Sequence, residues 1–309
     1  MSDDAILIGF GAATVRVATP LLLAALGETV SERGGVLNLG IEGAMLGGAL
    51  GAAVGAAQGS AVVGLALAVA AGLVAALLLA AVSVWGRADQ IIAGTAVTLA
   101  AVGVTGLVAQ RTFGSAGAGL ELATLQPVEV PLLGAIPVVG PVLFRQSLLT
   151  YLGYLLIPLT WWLLYRTRFG LELRASGEAP TSARAAGVAV RWRRTAGALL
   201  GGALAGLGGA SLVLAQVGTF TEKMTAGRGF IAIAIVVLGR WHPGGVALAA
   251  LLFGAATALQ YLVQASGHGG VPWQLLLALP YLLALVALAS AVGRARAPAG
   301  LARDDQEES

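Results

Sequence analysis

The chain has no cysteine and only two histidines. Disulfides, thiolate nucleophiles and cysteine-ligated metals are therefore excluded. His242 and His268 fall in different expected loops on opposite sides of the molecule, so no shared metal site is expected. Of the 18 basic residues only Lys223 is a lysine, and it follows Glu222. A P-loop needs Gly-Lys-Ser/Thr, so the chain carries no conventional ATPase of its own. Neither GxSxG nor HExxH is present, and no carboxylate pair suited to hydrolysis stands out. Charge is scarce too: 11% of residues are charged, against about 25% in a soluble domain. The net charge of +3 does not argue for nucleic acid. No enzyme activity and no cofactor are expected in this chain.

What the sequence has in abundance is apolar surface. It is 58% hydrophobic over 309 residues, with a mean hydropathy of +0.88. A bilayer is the one solvent that suits such a chain along most of its length. A span needs about 20 predominantly apolar residues. Nine segments meet or approach that, at about residues 5–27, 36–57, 61–84, 91–110, 147–165, 195–216, 228–240, 244–264 and 272–292. The expected fold class is an all-α, polytopic membrane protein forming a single transmembrane domain, with one segment broken or short. The first apolar run leads straight into the others, so no separate signal peptide is expected.

Basic residues in short loops set the orientation. Arg166, Arg168, Arg174, Arg184, Arg191, Arg193 and Arg194 cluster between two spans, which places residues 166–193 in the cytoplasm. Counting outward, the Glu28–Arg33 loop, the Arg87 loop, Arg240 and the tail with Arg294 and Arg296 fall on the same side. The amino terminus then lies outside and the carboxyl terminus inside. Residues 111–146 hold four of the eleven prolines and are expected to form an external loop. Residues 297–309 are expected to be a disordered tail.

The stretch SERGGVLNLGIEGAMLGGALGAAVGAAQG, residues 31–59, places Gly43, Gly47, Gly51, Gly55 and Gly59 on one helical face. Each interior glycine costs about 1 kcal/mol in helix propensity. In lipid, small residues let two backbones approach closely, so the ladder predicts tight packing against a neighbouring helix. The run from Gly197 to Ala210 invites the same interpretation. Glu42 is costly inside a span, by about 2.5–3.5 kcal/mol. It should face protein and have a partner. Asn38, a turn away, and Arg16, in the first segment, are the candidates for a buried polar node.

The seventh segment, FIAIAIVVLG, is short for a crossing and follows the polar TFTEKMTAGRG. It is either a re-entrant loop or a broken helix lining a cavity. Loop parity favours a broken segment that still crosses. The 166–193 insert carries short helical material and a small flat patch of Ala185, Ala186 and Gly187 among arginines. It serves either as a solvated loop touching anionic membrane lipid or as a docking element for a cytoplasmic partner, and its length favours docking.

TPLLLAALGETVSERGGVLNLGIEGAMLGGALGA resembles the amino-terminal signature of permease subunits of bacterial ABC importers, in the nucleoside branch often labelled simple-sugar permeases. GEAPTSARAAGVAV resembles the family's coupling loop, and FTEKMTAGRGFIAIAIVVLGRWHPGGVALAALLFGAATAL its carboxy-terminal signature. The resemblance implies the helical ABC-importer permease fold, in the bacterial inner membrane. It implies three partners: a cytoplasmic ATP-binding subunit that holds ATP and magnesium, a second homologous permease, and an external substrate-binding lipoprotein. It also implies that Gly177, Glu178, Arg184, Ala185, Ala186 and Gly187 contact the ATPase. Here Arg184 stands where the older coupling element has glutamate. For an uncharged nucleoside, Phe220 is placed to stack on the base, Thr221 or Thr225 to bond the ribose, and Arg228 to line the path. Alternatively this stretch is an external loop, with Phe220 a lipid-interface anchor. Other functions fit the same residues: a permease for a sugar or branched-chain amino acid, a proton-coupled carrier using Glu42, or a membrane scaffold.

Overall fold

The computed structural model describes residues 3–114, 122, 124–265, 278–283, 285, 286, 289 and 297–302. Among the described residues the architecture is helical apart from one pair of two-residue strands. The long elements are α1 (Asp3–Arg33), α2 (Ile41–Ala57), α3 (Ala61–Ala80), α4 (Gln90–Phe113), α6 (Leu148–Arg166), α9 (Val190–Leu212) and α11 (Pro243–Ala265). Between them lie α5 (Val139–Leu143), α7 (Arg168–Glu178), α8 (Pro180–Ala185) and α10 (Arg228–Leu238). Single π-helical turns, Ala81–Trp85 and Val213–Val217, extend α3 and α9.

Six of these helical stretches are long and apolar enough to cross a bilayer: Ile6–Arg33, Ala61–Trp85, Gln90–Phe113, Leu148–Arg166, Val190–Val217 and Pro243–Ala265. Two further apolar helices, α2 and α10, are shorter. The expected ninth segment, 272–292, lies largely outside the described residues, so the expected count of nine is not confirmed.

Close backbone packing organises the bundle around α9, which contacts α1, α2 and α3. The glycine ladder behaves as the sequence predicts from Gly43 to Gly55. Gly43 meets Ala101 and Thr98 of α4, Gly51 meets Leu67 of α3, and a Cβ on Gly55 would overlap the backbone of Gly64. Gly59 does not belong to the ladder. α2 ends at Ala57, and Gly59 takes φ +82° in open space. The second run does the same for α9: Gly202 packs on Gly72, Gly206 on Ala68 and Gly209 on Met45. Lipid supplies little hydrophobic drive between helices, so these contacts, with dispersion at close range, hold the bundle.

Two sequence expectations are corrected, at the end of the first helix and at the start of the tail. The first helix does not stop at residue 27 but runs to Arg33. Glu28, Thr29, Ser31 and Glu32 are buried instead of forming a loop. The described residues of the expected external loop, 111–146, include short elements. These are α5 and the antiparallel strands β1 (Val128–Glu129) and β2 (Arg145–Gln146), with Arg145 Nη2 paired to Glu129 Oε1 at 2.8 Å. The tail begins docked: Gly300 N–H donates to Gly177 O at 2.8 Å and Ala302 N–H to Gly35 O at 3.4 Å. Residues 303–309 lie outside the described residues, as do Arg294, Arg296 and His268.

Candidate functional site

The two short apolar helices begin at one buried point. α2 starts at Ile41 after the irregular stretch Gly34–Gly40, and α10 starts at Arg228 after the irregular stretch 218–227. Glu42, in the first turn of α2, joins them. Its Oε1 accepts from Gly227 N at 2.9 Å and its Oε2 from Gly229 N at 2.7 Å. A helix start leaves four N–H groups without intrahelical partners. A carboxylate there satisfies two of them and complements the positive end of the helix dipole. Gly229 must be glycine, because a Cβ would lie 2.6 Å from the Glu42 backbone.

The expected node of Asn38, Glu42 and Arg16 does not form. Asn38 precedes α2, so it shares no helical stripe with Glu42. Its N–H donates to Glu28 Oε1 at 2.9 Å, and its buried Nδ2 has no partner among the described residues. Arg16 is exposed, and its carbonyl accepts from Gln216 Nε2 at 2.8 Å. Residues of α4 fix the bend before α2. Gln90 Oε1 accepts from Leu37 N at 2.8 Å, and Thr98 Oγ1 donates to Leu39 O at 3.0 Å.

A second buried acidic feature was not legible in the sequence. Glu28 and Glu32 lie one turn apart on α1, at 0% and 1% exposure. Trp241 Nε1 donates to Glu32 Oε2, and Arg33 Nε donates to Trp241 O at 3.0 Å. Glu28 Oε2 and Glu32 Oε1 have no hydrogen-bond partner among the described residues. The signal was Gly-Glu-Thr-Val-Ser-Glu-Arg with carboxylates at i and i+4, which resembles a solvated loop. α10 therefore runs from Glu42 to the turn beside Glu32, a rise of about 16 Å for eleven residues. That is half of a hydrocarbon core of about 30 Å.

Beside the α10 start lies a cavity of about 140 Å³ between α1, α10, α11 and the helical stretch 278–283. Arg228, Thr257, Gln260, Tyr261 and Tyr281 supply its polar wall. Of these only Arg228 was expected. Arg228 Nη1 donates to Met224 O at 2.8 Å and Thr225 O at 3.3 Å, and Tyr281 Oη donates to Ala226 O at 2.8 Å. The other expected path residues separate. Phe220 is buried in an apolar cluster with Leu122, Leu149 and Leu214. Thr225 is buried and Thr221 is exposed.

The insert beneath is pinned to the bundle. Arg193 Nε and Nη2 reach Glu172 Oε2 at 2.6 and 2.5 Å, and Arg174 Nε donates to Leu164 O at 3.0 Å. Gly177 packs on the Arg33 carbonyl, and Arg33 Nη1 lies 3.7 Å from Glu178 Oε1. Arg184, Ala185, Ala186 and Gly187 are exposed at the end of α8, and Gly187 takes φ +85° in open space. Among the described residues no group of histidines and carboxylates is arranged to hold a metal.

Comparison with known proteins identifies the family. Residues 12–290 match the family described as branched-chain amino acid transport system / permease component. The chain is 37% identical to the nucleoside ABC transporter permease protein NupC of Lactococcus lactis, over 91% of each chain. It is also 37% identical to the guanosine ABC transporter permease protein NupQ of Bacillus subtilis, over 93% of this chain and 92% of that one. A Haloferax volcanii protein named provisionally as a glucose ABC transporter permease is 36% identical over 80% of this chain and 75% of its own. No solved structure matches. The chain therefore belongs to the branched-chain amino acid transport system permease component family.

Proposed function

We propose that this chain imports nucleosides by alternating access, driven by ATP hydrolysis in a separate subunit. As a member of its family it is a transport subunit and not an enzyme, and a multi-pass inner-membrane protein. Identity of 37% over nine-tenths of the chain to two permeases named for nucleoside and guanosine transport carries the substrate reading. The half-depth helix α10, which starts at the buried Glu42 carboxylate beside the start of α2, supports the transport reading, because broken helices in transporters commonly line substrate sites. The path would run past Thr221, Thr225 and Arg228 to the cavity edged by Gln260 and Tyr281, with Phe220 holding the outer wall and not stacking on a base. At about 140 Å³, the cavity is below the 300–1,000 Å³ of ordinary ligand sites. It would have to widen when the ATPase and the external binding protein engage.

Nine crossings, with the amino terminus outside and the carboxyl terminus in the cytoplasm, fit the arginine distribution. The partners would be an ATP-binding subunit carrying ATP and magnesium, a second homologous permease and an external lipoprotein. Uptake of labelled guanosine, uridine and glucose by vesicles holding the assembled transporter tests the substrate. Guanosine and uridine should enter, and glucose should neither enter nor compete. Glucose uptake alone would favour the sugar reading that the Haloferax volcanii relative suggests.

The exposed Ala185–Gly187 patch would dock the ATPase, with Gly177, Glu178 and Arg184 around it. Ala186→Trp should overpack that contact by about 1–3 kcal/mol. Co-purification of the ATPase should then fall by about tenfold or more, while the permease elutes as the wild type does. Normal co-purification with normal uptake would remove the assignment.

A cysteine scan suits a chain with no native cysteine. Thr221→Cys should label readily with a water-soluble thiol reagent, and the buried Thr225→Cys should label faster during ATP turnover than at rest. Labelling of Thr225→Cys that is indifferent to turnover would take that residue off the path.

A further inference from the structure

A groove of about 400 Å³, separate from the substrate path, opens at the edge of the insert. Trp85, Arg184, Val188, Arg191 and Trp192 line it. Trp85 closes the span Ala61–Trp85 and Trp192 stands in the first turn of the span Val190–Val217. The two rings therefore stand together at one end of both spans. They meet edge to face at 5.0 Å and 75°. Trp85 Nε1 donates to Thr195 Oγ1 at 3.0 Å, which fixes the indole against α9. Trp192 is nevertheless 65% exposed. Tryptophan at the end of a span prefers headgroup depth, with its apolar body toward the acyl chains. Arginine's planar fork matches a phosphate.

We propose that the groove between the Trp85–Trp192 pair and the Arg184 and Arg191 guanidiniums binds the headgroup of an anionic phospholipid. The phosphate faces the arginines, and the glycerol and first acyl carbons lie on the tryptophans. Charge complementarity selects the occupant. A zwitterionic lipid brings its own cation to the two arginines, whereas a phosphatidylglycerol brings only the anion. The site couples the insert to the bilayer. Arg184 and Val188 belong to the end of α8 and its exit, while Trp85 ends the π-helical turn that extends α3, so a lipid seated there ties both to one leaflet. Arginine near a charged leaflet is worth about 1 kcal/mol, or about fivefold in binding, per residue.

The test uses the full chain in nanodiscs of phosphatidylglycerol or phosphatidylcholine, with lipid retention read by native mass spectrometry. The wild type should retain phosphatidylglycerol about tenfold over phosphatidylcholine. Arg191→Gln should cut that preference about fivefold, and Trp192→Ala should lower retention of both lipids. Trp192→Ala alone decides the matter if Arg191→Gln fails to fold. Three results would each overturn the proposal: equal retention of the two lipids, unchanged retention in the folded variants, or displacement of the lipid by millimolar inorganic phosphate. The last would mark a free-anion site instead.

Discussion

A Glu42→Leu protein is expected to lose folded yield and transport together. The carboxylate is the acceptor for Gly227 N and Gly229 N. Leucine would leave both N–H groups unpaired inside the bundle, where neither lipid nor water replaces the bond. A hydrogen bond to a charged group contributes about 1.5–3 kcal/mol, so the loss is about 3 kcal/mol or more. Glu42→Gln should cost about half as much. Its amide oxygen can take one N–H, but its NH₂ then faces the other donor. Yield in detergent and the thermal midpoint by tryptophan fluorescence read both effects. A Glu42→Leu protein as stable as the wild type would break the link between α2 and α10. The same geometry speaks to the proton-coupled alternative. Both oxygens of Glu42 are already engaged by backbone donors of a second helix, so the residue holds structure in this state. Uptake that follows a pH gradient and ignores ATP hydrolysis in the partner would contradict this.

Gly209→Leu is expected to give no folded protein, while Gly103→Leu should behave as the wild type. Both glycines lie in helices of apolar sequence, so composition does not separate them. At Gly209 a Cβ would overlap the Met45 carbonyl and lie 2.8 Å from Ala49 N. These are backbone atoms of α2, which cannot rotate aside. At Gly103 none of the described residues comes within 4 Å of an added Cβ. Overpacking costs about 1–3 kcal/mol where side chains can shift, and more where two backbones must separate. α9 would be forced off α2, whose contact is shared with α1 and α3. Membrane-inserted yield and gel-filtration profile of the two variants check the contrast. Equal yields would mean that the glycine stacking contributes little.

Much of this was legible in the chain. The apolar composition required lipid, and the glycine spacing required close helix packing. The arginine-rich insert was expected outside the spans, and short helices form there, while Arg191, Arg193 and Arg194 fall in the first turns of the span Val190–Val217. The three quoted signatures led to the family that residues 12–290 match. The insert's exposed Ala185–Gly187 patch was visible as well, because small residues among arginines can form no core. What failed were statements about partners. Asn38 and Glu42 look like one stripe because i and i+4 share a helical face, yet Asn38 stands before the helix. Glu28 and Glu32 look like loop residues because two carboxylates rarely enter a span, yet Trp241 and the Asn38 N–H hold them inside. Gln260 and Tyr281, on the cavity wall, gave no signal, since either residue type also occurs on ordinary helix surfaces.

The sequence by itself determined the solvent, the all-helical class, and the need for backbone contact at the glycines. Each of these depends on local composition or on a period of a few residues. Only the tertiary structure decided where α2 and α10 begin and which acids are buried. Those choices depend on which donor meets which acceptor. For Glu42 the donors are 185 and 187 residues away along the chain, a separation that no local pattern encodes.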